Sequence, residues 1–143
     1  MPRYEVRLAE TVNAPLSEVF DFFADHERFT TLFGSHCMRI REGELEANGI
    51  GSVRRIGSGR SSFDETIVAF EPNRRIDYQV TRGSPIKNHL GQILFTSDNG
   101  RTQIDYVIRF DPKIPCTGKL LVLVLRAMWK RNAPQALKGL ERA

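Results

Sequence analysis

Apolar and polar residues alternate from the first positions of this chain. Tyr4, Val6, Leu8 and Val12 take turns with Glu5, Arg7, Ala9 and Thr11, and this period of two predicts a strand. Asn13-Ala14-Pro15 ends it, and Pro15 followed by Ser17-Glu18 suits the first turn of a helix. Leu16, Val19, Phe20 and Phe23 then share one helical face as far as Asp25, and residues 26–33 predict a second short helix stopped by Gly34. The period returns to two. Strands are predicted over residues 37–42, 52–56, 63–70, 75–81, 89–96 and 102–110, parted by turn-forming stretches such as Gly49-Ile50-Gly51, Glu71-Pro72-Asn73 and Ser97-Asp98-Asn99-Gly100.

The last quarter, residues 114–143, changes period again. Val122, Leu125, Trp129, Ala133, Ala136 and Leu140 fall at three- and four-residue steps, with Leu121, Val124 and Met128 widening the stripe. Arg126, Lys130, Arg131, Lys138 and Arg142 fall mainly off it. Pro134 cannot donate to the carbonyl of Lys130 and is expected to kink or loosen the helix. So wide an apolar face must lie against the strands, and a sheet laid round a helix leaves room for a cavity. The order is strand, two short helices, six strands and a long helix. Short links between the strands favour antiparallel neighbours. The fold class is therefore α+β, as one domain over residues 1–143.

Composition narrows the picture. The chain has 143 residues, a net charge of +4 and an ordinary 41 % hydrophobic content. Its basic residues are scattered and carry no nucleic-acid motif, so no nucleic-acid partner is expected. No signal core opens the chain, and the longest apolar run, residues 120–125, is far short of the ~20 residues of a membrane span. Cys37 and Cys116 make no CxxC and read as thiols of a cytoplasmic protein, with a bridge between them left open. His26, His36 and His89 lack metal-ligand spacing, and no nucleophile elbow, P-loop or dinucleotide fingerprint is present. No metal or cofactor is expected.

Polar residues on apolar strand faces carry the functional signal, because burying them unpaired is costly. Ser52, Arg54 and Ile56 share one face, and Phe63, Glu65, Ile67 and Ala69 another. If both faces point inward, Arg54 and Glu65 meet on neighbouring strands. Either they form a self-satisfied ion pair, or Arg54 anchors a ligand oxyanion with Glu65 orienting it. His89 shares a face with Ile93 and Phe95 and reads as an acid/base candidate or as a satisfied core histidine. Tyr78 and Tyr106 fall on inward faces, each offering a ring and a hydroxyl to a ligand or serving only as core packing. Trp129 and Leu125 are the expected contributions of the long helix to a cavity wall, with plain core packing the other reading of Trp129, and Glu10 is placed at the mouth or at a solvated strand end.

Element order and several short segments together resemble the polyketide cyclase/dehydrase group of the START-like, helix-grip superfamily. Val12-Asn13-Ala14-Pro15 followed by Glu18-Val19-Phe20 is similar to the family's opening, and Gly49-Ile50-Gly51-Ser52-Val53-Arg54 to its Gly-x-Gly-x-x-Arg segment. Glu65 stands where a glutamate is frequent, and Asn88-His89 resembles an Asn-Tyr pair near the pocket. The resemblance implies a seven-stranded antiparallel sheet wrapped round the C-terminal helix, with a deep pocket between them. It also makes residues 57–61 a lid candidate, with a plain flexible turn as the other reading.

Three functions stand open. One is binding of a small hydrophobic or amphipathic ligand by Arg54, Ile56, Glu65, Ile67, Tyr78, His89, Tyr106, Leu125 and Trp129. Another is cyclase or dehydratase chemistry, with His89 or Glu65 as base and Arg54 or a tyrosine as oxyanion stabiliser. The last is a lipid-transfer or membrane-facing module. The partner is expected to be a small hydrophobic molecule, and the chain a monomer or a homodimer.

Overall fold

In the computed structural model, residues 2–141 are described. Seven strands and three helices follow in the order β1 (Tyr4–Val12), α1 (Leu16–Ala24), α2 (His26–Thr30), β2 (Cys37–Arg41), β3 (Val53–Ile56), β4 (Phe63–Glu71), β5 (Arg75–Arg82), β6 (Ile86–Asp98), β7 (Arg101–Pro112) and α3 (Gly118–Lys138). All strands join one antiparallel sheet in the order β1-β7-β6-β5-β4-β3-β2. Consecutive strands from β2 to β7 are neighbours, and β1 closes onto the far edge of β7. One sheet face carries the helices and the core, which is the α+β helix-grip arrangement.

Local chemistry explains the short helices. Pro15 holds an extended φ of −62° ahead of α1 and leaves Val19, Phe20, Phe22 and Phe23 to bury against the sheet. Asp25 ends α1 and caps α2, its carboxylate accepting from the backbone N–H groups of Glu27 and Arg28. The expected second helix is thus shorter, and residues 31–33 tighten into a 3₁₀ turn that Gly34 stops at φ 70°.

Strand parity holds with two corrections. A bulge between Ile67 and Ala69 pairs Ala69 with Asp77 on the outer face and Phe70 with Ile76 on the inner one. The core therefore receives Phe70, which meets Phe20 edge-on at 5.4 Å, where the alternation had placed Ala69. In β6 the strand starts at Ile86, three residues earlier than expected. Asn88 adopts φ 52° and forms a bulge between Lys87 and Leu90, which hides the alternation there.

The last helix is also shorter than the apolar stripe. Residues 114–117 form a turn in which Cys116 takes φ 71°, and Arg142 and Ala143 lie outside the described residues. The helix runs unbroken through Pro134. Its buried face is Trp129, Ala133 and Leu137, whereas Ala136 and Leu140 are only half-buried. Cys37 and Cys116 are both free thiols.

On the outer face, Asp64 bridges Arg55 and Arg82 across three strands, at 2.8 and 2.9 Å. Asp77 pairs with Arg75 and accepts from Gln92, which in turn accepts from Arg109. This polar ladder fixes register on the side away from the core.

One glycine places the site. Gly91 lies opposite Tyr78 in the β5–β6 register, and a Cβ there would collide with the Tyr78 ring. The ring is itself wedged among Phe29, Tyr106 and His89, so it has nowhere to move. Gly91→Ala is expected to cost about 1–3 kcal/mol in urea unfolding. Unchanged stability would show that Tyr78 is not held this way.

Candidate ligand-binding site

Between the sheet and the first half of α3 lies a cavity of about 250 Å³. Its wall is mostly apolar. Phe29 and Phe33 come from the α2 region, Ile56, Phe63 and Val80 from β3 to β5, Ile86 and Ile108 from β6 and β7, and Leu121, Val124, Leu125 and Met128 from α3. Glu65, Tyr78 and His89 bring polar atoms to it, with the smaller hydroxyls of Thr30, Ser35 and Ser84.

Behind that wall sits Arg54, only 1 % exposed. Its guanidinium is clamped between the rings of Phe29, 4.2 Å from the centroid, and Tyr78, at 4.8 Å. Nε donates to Glu65 Oε1 at 2.8 Å, and Nη1 donates to His26 Nδ1 at 3.3 Å. Nη2 also lies 2.8 Å from Glu65 Oε1, in poor alignment, and is the buried side-chain polar atom without a hydrogen bond among the described residues. Burial pushes the Glu65 carboxyl above its usual range, and Arg54 opposes that shift.

Both buried histidines have a defined tautomer. The Ser52 hydroxyl donates to the Arg41 carbonyl, so His26 Nε2–H donates to Ser52 Oγ at 2.9 Å, leaving Nδ1 to accept from Arg54. His89 Nδ1 accepts the backbone N–H of Val80 at 3.0 Å, so its proton sits on Nε2, at a residue lining the cavity. Burial and the Arg54 charge lower His26 to about 3 and His89 to about 4. At neutral pH both rings are uncharged. His89 is therefore a neutral donor through Nε2, and its basic nitrogen is already occupied.

The tyrosines differ. Their hydroxyls bond to each other, and burial holds both phenols protonated. Tyr78 lines the cavity, but Tyr106 lies beneath Phe33 and Trp129.

A family model described as polyketide cyclase/dehydrase and lipid transport matches residues 3–143. The chain belongs to this family. No curated protein matches it. Among solved structures, a protein from Thermobifida fusca is 20 % identical over 93 % of this chain and 89 % of its own, with TM-score 0.75. Zhui aromatase/cyclase from Streptomyces sp. R1128 is 20 % identical over 95 % and 92 %, with TM-score 0.70. The Aha1 dimer from Colwellia psychrerythraea is 10 % identical over 97 % of both chains, with TM-score 0.70. At such identities the likeness is one of fold.

In this polyketide cyclase/dehydrase family member, Ile56, Glu65, Tyr78, His89 and Leu125 come together around the cavity, with Arg54 directly behind Glu65 and Tyr78. Ile67, Tyr106 and Trp129 do not reach its wall. Trp129, read as a cavity wall or as core, donates Nε1–H to Glu10 at 3.0 Å and packs at an angle against Phe33 and edge-on against Tyr106. That bond also draws Glu10 away from the cavity mouth. Residues 59–61 form a short 3₁₀ turn, and the 57–61 segment runs between two lining residues, Ile56 and Phe63, without itself lining the cavity. Sequence reasoning missed His26 and Phe29. Both act on Arg54 from α2, and no periodicity links a helix residue to a strand residue that far along the chain.

Two measurements follow from this geometry. Removing the charge alone, as in Arg54→Met, leaves Glu65 buried and unpaired, and about 3–5 kcal/mol of stability is expected to go. The double variant Arg54→Met/Glu65→Leu should recover most of it. Failure of the second change to rescue would mean that the pair is not the unit. For pH, the unfolded chain binds protons at His26 and His89 below about 6.5, whereas the folded chain does not until about 3 and 4. Unfolding therefore takes up protons, and stability should fall as pH drops from 6.5 toward 4, by roughly 2–3 kcal/mol per unit at the steepest. His89→Gln should halve that slope, and a flat profile would contradict the assignment.

Proposed function

We propose that this chain binds a small, mainly apolar molecule carrying one hydrogen-bond-accepting oxygen in the cavity between sheet and α3. The observation that carries this reading is an apolar wall that includes His89, whose donating nitrogen is Nε2, beside the Arg54–Glu65 pair. A carbonyl or phenolic oxygen would meet that donor, while the ligand body would replace water against Phe33, Ile108, Leu121 and Leu125. The volume, about 250 Å³, falls just below the roughly 300–1,000 Å³ of ordinary ligand sites, which favours compact ring systems or short chains.

A second reading is favoured by Glu65. A buried carboxylate with a raised proton affinity, lining an apolar cavity, is suited to removing a proton next to a carbonyl. His89 would then hold the developing oxyanion as a neutral donor. This is cyclase or dehydratase-type chemistry, with Glu65 as base and Arg54 positioning it.

The pair 1-tetralone and tetralin tests the binding reading, since they differ only by the acceptor oxygen. The ketone is expected to bind up to about tenfold more tightly by calorimetry or thermal shift. His89→Leu should abolish that preference while leaving tetralin binding intact. Equal affinities in the unaltered protein, or binding of neither, would overturn it. For the second reading, Glu65→Gln would retain binding and lose turnover.

A further inference from the structure

From Pro112 to Leu140 the chain holds six of its 21 lysines and arginines and none of its 17 acidic residues. The remainder is therefore net acidic, and the excess positive charge of the molecule belongs to α3 and its approach. That helix is also apolar on the wrong side. Leu120, Leu123, Val124 and Ala127 follow at i, i+3, i+4 and i+7, and all four are exposed. Leu120 is 60 % exposed and Leu123 62 %. Further along the same outward stripe come Arg131 and Lys138, with Lys119 and Arg126 flanking its apolar half.

The cavity opens onto this face. Val124 both lines the cavity and is exposed, and so does Pro85 in the loop before β6. Lys113 ties that loop to the helix approach, its N–H donating to the Pro85 carbonyl and its ammonium to the Gly83 carbonyl. Ile114, 62 % exposed, extends the apolar edge there.

We propose that this face docks on a bilayer surface rich in anionic phospholipid, with the first turns of α3 and the Pro85 loop at headgroup level and the cavity mouth turned to the lipid. Exposed leucines gain burial from shallow insertion, and lysines and arginines along the rest of the stripe gain from the negative surface. Charge complementarity selects this occupant. A second copy would set one cationic helix against another, whereas an anionic surface meets all of them at once. The inference concerns the outside of the helix and holds whatever the cavity binds.

Co-sedimentation with phosphatidylcholine vesicles, with and without roughly 30 % phosphatidylglycerol, tests it directly. Binding is expected only to the anionic vesicles and should weaken several-fold as salt is raised. The variant Leu120→Glu/Leu123→Glu should lose about tenfold or more in affinity. Leu45→Glu, changed at a site 87 % exposed in the β2–β3 loop, should bind like the unaltered protein. Lys119→Glu/Arg126→Glu provides the same reading should the leucine variant fail to fold. Absence of binding, equal binding to neutral vesicles, or full binding by both double variants would overturn the proposal. So would a lipid-free dimer, seen by sedimentation velocity, that Leu120→Glu/Leu123→Glu dissociates.

Discussion

Everything at the centre of this molecule is arranged around one buried guanidinium. Arg54 has left water altogether, and an ion of that size is tolerated inside a domain only with a partner charge and well-filled flanks. Glu65 supplies the charge from the next strand, and Phe29 and Tyr78 supply the flanks. His26 takes a further N–H from the helix side. These contacts bind β3, β4, β5 and α2 into one unit. Burial keeps both nearby histidines uncharged, and the Arg54 charge reinforces it.

The same arrangement sets where the molecule is full and where it is empty. The second half of α3 is sealed onto the sheet by aromatic contacts from Trp129 to Phe33 and Tyr106 and by the indole bond to Glu10. Its first half stands off the sheet and leaves the cavity. The helix therefore has two functions along its length: an anchor near its end and a wall near its start.

Much of this was legible in the residues. Period-two alternation located every strand, and parity alone brought Arg54 against Glu65 and His89 onto an inner face. Parity failed where the backbone inserts a residue. The bulges at Val68 and Asn88 leave no mark in hydrophobicity, so Ala69 was placed inward in place of Phe70 and β6 was started late. The long helix was found but its facing was not resolved, because the chain is apolar on both sides over residues 120–125 and a stripe then has no unique centre. Trp129 read as a wall because its indole N–H partner, Glu10, lies at the opposite end of the chain. His26 was invisible for the same reason: its role is set by a contact between α2 and β3 that only the fold creates.

The polar end of the cavity pairs a neutral histidine with a locked ion pair. Nitrogen-15 NMR of the histidine side chains tests it most directly. His89 is expected to carry its proton on Nε2, and neither His89 nor His26 should titrate as pH is lowered from 8 to about 5 in the folded protein. A His89 ring protonated on Nδ1, or one that gains a second proton near its ordinary value of about 6.5, would contradict it.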